Sequence, residues 1–386
     1  MCGIGGIYFF DQRPVPENSL FAMAKALAHR GPDEEGIFSQ HSVGLVSRRL
    51  RIIDLSKDAS QPMHDKKEKF HLVFNGEIYN FRELRKELEI RHDFFSKSDT
   101  EVVLRLFMEQ REGCWKILNG MFAAALYDSE SRELFLARDH AGIKPLYYYA
   151  DDHCLVFASE LKAIFATELV PREINNPAIA EYLRLGYFPG EWTPYKNIRK
   201  LKPGHYCKVK DGIEIQKYWS ARGTLRERKT DVAPSQIEDA LDCLLQSSVE
   251  AQMVSDVPVG AFLSGGIDSS LIVALMSRLS KKPAQTFTVG FSRMGYYDER
   301  EHARQIANHF KTEHHEYSVH AEIEEILPRL IETFDEPFAD SSAVPTFCLA
   351  ELAKKHVTVA LSGTGGDEIF GGYRKYMAAQ WSGIFN

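Results

Sequence analysis

The spacing of apolar residues changes character once along this chain, and that change limits the fold more than any other feature. Up to about residue 218 the apolar runs are short, β-branched and aromatic, and polar turns separate them. Residues 4–10, 43–55 and 71–80 read as strands, and 81–89 and 100–110 carry helical spacing. Residues 122–139 read as a hairpin turning between Asp128 and Arg132, and 145–160 as another turning at Asp151 and Asp152. From residue 237 onward helices and strands alternate: helix 237–253, strand 259–263, helix 271–279, strand 285–291, helix 298–310, strand 314–319, helices 324–334 and 345–356, strand 357–361. Such alternation builds a parallel sheet with helices on both faces. The polar, charged stretch between about Trp219 and Pro234 separates the two patterns and reads as a linker. The expectation is an α/β chain of two domains, 1–218 and 235–386, joined by 219–234.

Composition narrows the class further. No apolar window approaches the ~18 residues that a membrane helix needs. The opening MCGIGGIYFFDQRPVPEN has no basic segment and no cleavage site of a secretory signal. The net charge of −7 is spread along the chain without a basic stripe, which argues against nucleic acid as a partner. The six cysteines are scattered and form no CxxC pair, so no zinc site is expected. These features fit a reducing compartment, most simply the cytoplasm.

The chemistry begins at Cys2. Removal of Met1 would leave a cysteine whose own α-amine can take the thiol proton, joining nucleophile and base in one residue. Acyl transfer from an amide also needs an oxyanion hole and anchors for the substrate's charged groups. Asn75-Gly76-Glu77 offers an amide, an unhindered N–H and a carboxylate at the end of an apolar strand. Arg49 can grip a carboxylate in a bidentate fork, and Asp99 can pair with an ammonium. Taken singly, Asn-Gly is a common turn signal and the two charges are ordinary surface residues.

A second constellation lies in the other half. Leu263-Ser264-Gly265-Gly266-Ile267-Asp268-Ser269-Ser270 joins a strand to a helix. Its glycines admit close approach of a phosphate, and the helix start offers free N–H groups. Asp268 would repel phosphate unless a cation intervenes, which points to Mg²⁺. The loop lacks the Gly-Lys-Ser/Thr ending of the usual phosphate loop. Ser362-Gly363-Thr364-Gly365-Gly366-Asp367 follows the last strand in the same manner, so Asp268 and Asp367 form a candidate metal pair.

Cys2-Gly3-Ile4, His29-Arg30-Gly31-Pro32-Asp33, Arg49-Leu50, Asn75-Gly76-Glu77-Ile78-Tyr79-Asn80 and Ser98-Asp99 occur in the order seen in class II glutamine amidotransferases, and the first half resembles that family. The SGGxDS loop is similar to that of the N-type ATP pyrophosphatases, and the two together resemble the asparagine synthetase family. Arg138-Asp139-His140-Ala141-Gly142-Ile143-Lys144-Pro145-Leu146-Tyr147-Tyr148 and Asp335-Glu336-Pro337 also fit it. The resemblance implies an αββα N-terminal-nucleophile sandwich followed by a parallel-sheet adenine-nucleotide α-hydrolase-like domain. It implies Cys2 as nucleophile and Asn75 and Gly76 as oxyanion hole. Glutamine would be bound by Arg49, Leu50, Arg51, Ile52, Ile53, Asn75, Gly76, Glu77 and Asp99. ATP would be bound by Leu263, Ser264, Gly265, Gly266, Asp268, Ser269, Ser270, Val289, Ser362 and Gly363, with Mg²⁺ on Asp268 and Asp367.

The implied reaction releases ammonia from glutamine, passes it through an internal tunnel, and uses it on β-aspartyl-AMP to give asparagine, AMP and pyrophosphate. The substrates are then glutamine, aspartate and ATP, and relatives point to a homodimer. Two departures stand out: Lys97 replaces a glycine before Ser98-Asp99, and Thr364 replaces an acidic residue implicated in intermediate formation. Family members continue beyond the position of Asn386, so the second half is expected to be incomplete. Two alternatives follow: an amidotransferase acting on another carboxylate, such as a surface sugar or peptide, or a shortened chain with glutaminase activity only. The SGGIDSS loop argues against the amidotransferases that make phosphoribosylamine, glucosamine 6-phosphate or glutamate.

Overall fold

The structure, a computed structural model, describes residues 1–224, 233–291, 298–319 and 323–376. Half of the expected linker, residues 225–232, and the last residues, Gly383 to Asn386 among them, lie outside that set. Contacts divide the chain into two compact units. The first takes in the N-terminal residues and the later segment Thr333–Ala339; the second takes in the remainder.

The strands of the first unit are β1 (Gly3–Phe9), β2 (Glu34–Gln40), β3 (Val43–Arg49), β4 (Met63–His64), β5 (Phe70–Ile78), β6 (Gly120–Asp128), β7 (Glu133–Arg138), β8 (Tyr147–Ala150), β9 (Cys154–Ala158), β10 (Ile198–Lys200), β11 (His205–Val209) and β12 (Ile213–Lys217). They form two antiparallel sheets ordered β10-β8-β9-β1-β3-β2 and β12-β11-β7-β6-β5-β4. The helices are α1 (Glu17–Ala26), α2 (Phe81–Leu88), α3 (Asp99–Gln110), α4 (Leu161–Phe165), α5 (Asn176–Leu185) and α6 (Ala221–Thr224). Period-two alternation sorts β1 into two cores. Ile4 and Tyr8 point at the other sheet, against Val73, Ala123, Ala125 and Leu136. Ile7 and Phe9 point outward, against Leu20, Met23 and Leu27 beside α1 and Ile164 of α4. Both faces of β1 are buried, which is why it reads as a continuous apolar run.

The far side of the second sheet is closed by rings. Phe107 of α3 lies 5.0 Å from Phe135 and 5.7 Å from Trp115, and Trp115 lies 6.1 Å from Phe122. The four layers are therefore helix, sheet, sheet, helix. The hairpins expected at 128–132 and 151–152 are β6–β7 and β8–β9. The strand expected over 43–55 ends earlier, at Arg49. Beyond it the Arg49 guanidinium takes the carbonyls of Ile53 (3.2 Å) and Asp54 (2.6 Å), which curls the chain back, and Asp54 adopts a φ of 58°. Asn75-Gly76 is not a turn but continuous strand, paired with Ala123 and Phe122.

The second unit holds β13 (Val259–Phe262), β14 (Gln285–Phe291), β15 (Glu313–Val319) and β16 (Val359–Leu361), all parallel, in the order β15-β14-β13-β16. Its helices are α7 (Pro234–Gln252), α8 (Ile267–Leu279), α9 (Arg300–Phe310), α10 (Ile323–Thr333), α11 (Ala343–Ala353) and α12 (Gly366–Phe370). Successive strands run from β13 outward to β15, and β16 then returns to the opposite side of β13. The order of the strands thus reverses between β13 and β16, the place where open α/β sheets bind ligands. Among the described residues, no helix is long and apolar enough to cross a membrane.

One buried ion pair organises the approach to Asp99. Glu101, fully buried, accepts from Ser96 N (2.7 Å), Ser96 Oγ (2.8 Å) and Arg105 Nη2 (2.9 Å). Replacing Arg105 by Met would strand that carboxylate in the core. We expect a loss of about 3–5 kcal/mol in the stability of the first unit, read from urea denaturation; a change under about 1 kcal/mol would contradict the pairing.

Candidate active sites

The first site forms where β1 enters the sandwich. β1 pairs with β3 so that Gly3 faces Arg48, and one further step of the same register sets Cys2 opposite Arg49. The Ile4 amide donates to Ser159 Oγ at 3.0 Å, and Ser159 N donates to Ile4 O at 2.8 Å, so the strand is held from both sides two residues from the thiol. Cys2 Sγ donates to Leu50 O at 3.7 Å. Burial pushes the thiol's pKa up, so it needs a base to ionise. Burial also lowers the α-ammonium to about 6. That amine belongs to Met1 here, and the value describes the surroundings of residue 1.

Asn75 lies on β5 with its side chain buried, and among the described residues neither its amide oxygen nor its amide nitrogen has a hydrogen-bond partner. An orphaned buried amide is costly, so this one is available to a partner from outside the fold. Gly76 has a steric reason of its own: a Cβ there would lie 2.4 Å from Met121 O on β6. Asn80 is structural, donating to Ile117 O (3.0 Å) and accepting from Asn119 N (2.9 Å).

Glu77 and Asp99 face a common space. Burial and then the charge of Asp99 hold Glu77 well above the usual carboxylate range, with Lys144 opposing. Burial likewise raises Asp99 to about 6, although Ile78 N donates to its Oδ2 at 2.9 Å. Two carboxylates that resist ionising together are a ready receptor for a cation. Lys97, the departure noted in sequence, enters through its backbone: its N–H donates to Asp54 Oδ2 at 2.6 Å, and its φ lies outside the left-handed region. No glycine is needed there, because the backbone makes the contact at an ordinary φ and the side chain is exposed. Arg51 N donates to Asp33 Oδ2 (2.9 Å), so Leu50–Ile53 is a loop tied to the His29–Asp33 segment. Gly31 in that segment has no alternative, since a Cβ would lie 2.1 Å from the Arg48 carbonyl carbon.

Several residues of this site carried no role in the sequence reading. Arg138 donates to the carbonyls of Gly142 (2.7 Å), Lys144 (2.8 Å) and Leu201 (2.6 Å), and buried Asp139 accepts from Ile143 N and Lys144 N, both at 2.9 Å. The pair folds the loop that brings buried Lys144 within 3.1 Å of Met1 Sδ. Burial lowers Lys144, and Glu77 works against that. Glu160 joins His29 (3.0 Å) and Arg30; burial would raise it, but these partners outweigh burial and hold it down at about 2. The only sequence signal for Lys144 was its place in the Arg138–Tyr148 motif.

The second site lies within the second unit, at the reversal between β13 and β16. Leu263 and Ser264 leave β13, and α8 begins at Ile267. Ser264 Oγ and Ser269 Oγ are 2.9 Å apart, Gly266 N donates to Ser264 Oγ (3.2 Å), and Ser264 N donates to Ser269 Oγ (3.2 Å), which closes the loop on itself. Gly265 has φ 82°. Ser362–Gly366 leaves the adjacent strand, and the loops touch: a Cβ on Gly363 would lie 2.7 Å from Ser269 N, and one on Gly366 2.5 Å from Asp268 Oδ2. Asp268 thus sits between the two loops, and Asp367 follows directly. Thr364 is exposed, its N–H donating to Ser362 Oγ at 3.4 Å. Val289 lies near the carboxyl end of β14, paired with Tyr317. Ser270 Oγ is buried without a partner among the described residues. The donors at this crevice are hydroxyls, backbone amides and carboxylate oxygens, a set that fits a polyphosphate and a hard cation such as Mg²⁺.

Comparison with known proteins finds a family match in each half of the chain. Residues 1–219 match the glutamine amidotransferase domain and residues 240–385 the asparagine synthase domain. A Methanocaldococcus jannaschii protein assigned as a glutamine-hydrolysing asparagine synthetase is 38% identical over 400 residues, covering 98% of this chain and 76% of that protein. This chain belongs to the glutamine-hydrolysing asparagine synthetase family. Asparagine synthetase 1 of Bacillus subtilis is 37% identical over 385 residues (97% of this chain, 59% of that protein). Asparagine synthetase B of Escherichia coli is 32% identical over 398 residues (97% and 65%). The chain therefore spans about three-fifths of the length of these last two relatives.

The raised Asp99 value has a measurable consequence. Between its ordinary value near ~4 and about 6, the folded chain keeps a proton that the unfolded chain has released, so stability falls as pH rises through that window. Asp99→Asn removes this loss. We expect D99N to melt above the wild type at pH 7 and close to it at pH 4, while losing glutamine hydrolysis; a melting difference independent of pH would contradict the assignment.

Proposed function

We propose that this chain hydrolyses glutamine at Cys2 and uses the ammonia, with ATP, to convert aspartate to asparagine. The observation that carries the first half is the buried, unpartnered Asn75 amide on the strand that also bears Glu77. Removal of Met1 frees the Cys2 amine, which takes the thiol proton. The thiolate then bonds to the glutamine side-chain carbonyl carbon, and Asn75 Nδ2 donates to the resulting oxyanion. Ammonia leaves with the proton that the amine had taken, and water cleaves the γ-glutamyl thioester to return the thiol and release glutamate. Glu77 and Asp99 hold the substrate ammonium, whose charge relieves their mutual repulsion. Arg49 stands for the carboxylate; its present bonds to Ile53 O and Asp54 O also shape the Leu50–Ile53 wall.

In the second unit the Ser264–Ser270 and Ser362–Gly363 loops hold the triphosphate with their N–H and hydroxyl donors, Leu263 and Val289 border the nucleoside, and Asp268 and Asp367 would hold Mg²⁺. When bound, that ion screens the phosphates from the two carboxylates. Aspartate attacks the α-phosphorus through its side-chain carboxylate and pyrophosphate leaves; ammonia then displaces AMP. A second reading changes only the acceptor: exposed Thr364 brings a hydroxyl, not a carboxylate, to the tip of the second loop.

Pyrophosphate and glutamate followed in one tube separate these readings. We expect pyrophosphate release from ATP–Mg²⁺ and glutamine to depend on aspartate; release with another carboxylate and none with aspartate would favour the second reading. Cys2→Ala should abolish glutamate formation, and Asn75→Ala should lower its kcat by about 10²–10³-fold. Asp268→Asn should abolish pyrophosphate release and leave glutamine hydrolysis intact.

A further inference from the structure

The segment Thr333–Ala339 joins α10 to α11 in sequence, yet it packs within the first unit. Its two acidic residues bracket one corner of that unit, the end of β9 and the start of α4. Asp335 Oδ2 accepts from the backbone N–H of Lys162 at 2.8 Å, and its Oδ1 pairs with Lys162 Nζ at 3.2 Å. Glu336 Oε1 pairs with Lys200 Nζ at 2.7 Å and accepts from Tyr147 OH at 3.5 Å. Tyr147 is paired with Ala158, the last residue of β9. Ala339 N donates to Gly186 O at 3.0 Å and ties the far end of the segment down.

The gripped corner is the one that holds the nucleophile's strand. Ala158 pairs with Gly5, and Ser159 exchanges two hydrogen bonds with Ile4. Glu160 takes His29 and Arg30, and Lys162 Nζ bridges Glu160 Oε2 (3.4 Å) to Asp335. Arg30 in turn acts on the amine at residue 1. Glu160, the residue before α4, gives that helix no side-chain cap, so the Asp335 carboxylate, more than 170 positions away in sequence, satisfies the Lys162 N–H instead. The loops adjoining Arg49 and Asp99 are held by other partners, among them Asp54, Glu34 and Glu101.

We propose that Asp335, with Glu336 beside it, is a positioning residue for the Cys2 reaction: it fixes the Ala158–Lys162 corner against β1 and so sets where residue 2 stands. This rests on Cys2 being the nucleophile of glutamine hydrolysis. The segment that does the positioning is continuous with α10 and α11, and α11 leads into β16 and the second phosphate loop. Glutamine chemistry thereby depends on a stretch encoded in the synthetase half.

The test compares the full-length wild type with Asp335→Asn, Asp335→Ala and Cys2→Ala, and with Asp93→Asn as a control that breaks an exposed ion pair with Lys66. Glutamine hydrolysis gives kcat and KM; site-resolved alkylation by iodoacetamide gives the reactivity of Cys2 without any substrate; thermal melting reports folding. We expect D335A to lower kcat and Cys2 alkylation by about ten- to a hundred-fold with KM changed less than about two-fold. D335N, which keeps an acceptor for Lys162 N–H and loses the ion pair, should fall between it and the wild type, and D93N should match the wild type. Wild-type kcat in both Asp335 variants would overturn the proposal while leaving Cys2 as nucleophile, provided C2A is inactive. A parallel fall of kcat, a rise of KM and a lower melting point in both Asp335 variants would also overturn it, as general destabilisation. Undiminished hydrolysis by C2A would overturn the underlying reading itself.

Discussion

The clamping of β1 between β3 and β9 is the constraint on which the first site depends. A residue at a chain start has few bonds of its own, yet here the ladder on both edges and the Ile4–Ser159 exchange leave Cys2 little freedom. Both faces of β1 are buried, so a register slip would drive Ile4 and Ile7 into the wrong cores. Arg49, at the end of β3, and Glu77, on β5, both act on the thiol from elements packed around this strand. The placement of residue 2 is a by-product of core packing.

The electrostatics of that site follow from the same burial. Glu77, Asp99, Lys144 and the Cys2 thiol are each pushed toward the neutral form by loss of water. Such a cluster is poorly stabilised when empty and well matched to a zwitterion that brings its own ammonium and carboxylate. Preorganisation of this kind exchanges stability of the empty fold for affinity. The second unit works differently: its loops are closed by serine–serine contacts and glycine packing, and Ser264, Asp268 and Asp367 remain partly exposed.

Much of the architecture was legible in the residues. The period-two runs of β1, β5 and β6–β7, the alternation beyond residue 237, and the two Gly-rich loops each carry their own local signal, because strand pleat, helix turn and glycine freedom are properties of a few consecutive residues. Two kinds of feature were not legible there, for the opposite reason. β3 stops at Arg49 because a guanidinium prefers four nearby carbonyl and carboxylate oxygens to strand continuation, and those oxygens come together only when the loop has folded. Asn75-Gly76 has turn composition, yet the apolar run around it reads as strand, and pairing with β6 keeps it so. Lys144, Glu160 and Asp335 look like surface charges in sequence, and only burial against distant partners distinguishes them.

The sequence by itself determined the division into an antiparallel half and a parallel half, the order of the two motif sets, and the chemical kinds of group available at each. Those depend on local composition and on spacing along the chain. Tertiary structure alone decided which groups meet. Cys2, Arg49, Asn75, Asp99 and Lys144 are tens of residues apart, and a buried sandwich core is what sums their fields in one place. It also decided that Asp335, far along the chain, closes a corner beside the second residue, since a carboxylate finds the Lys162 N–H and ammonium by their position in space and carries no mark of that partner in its own neighbourhood.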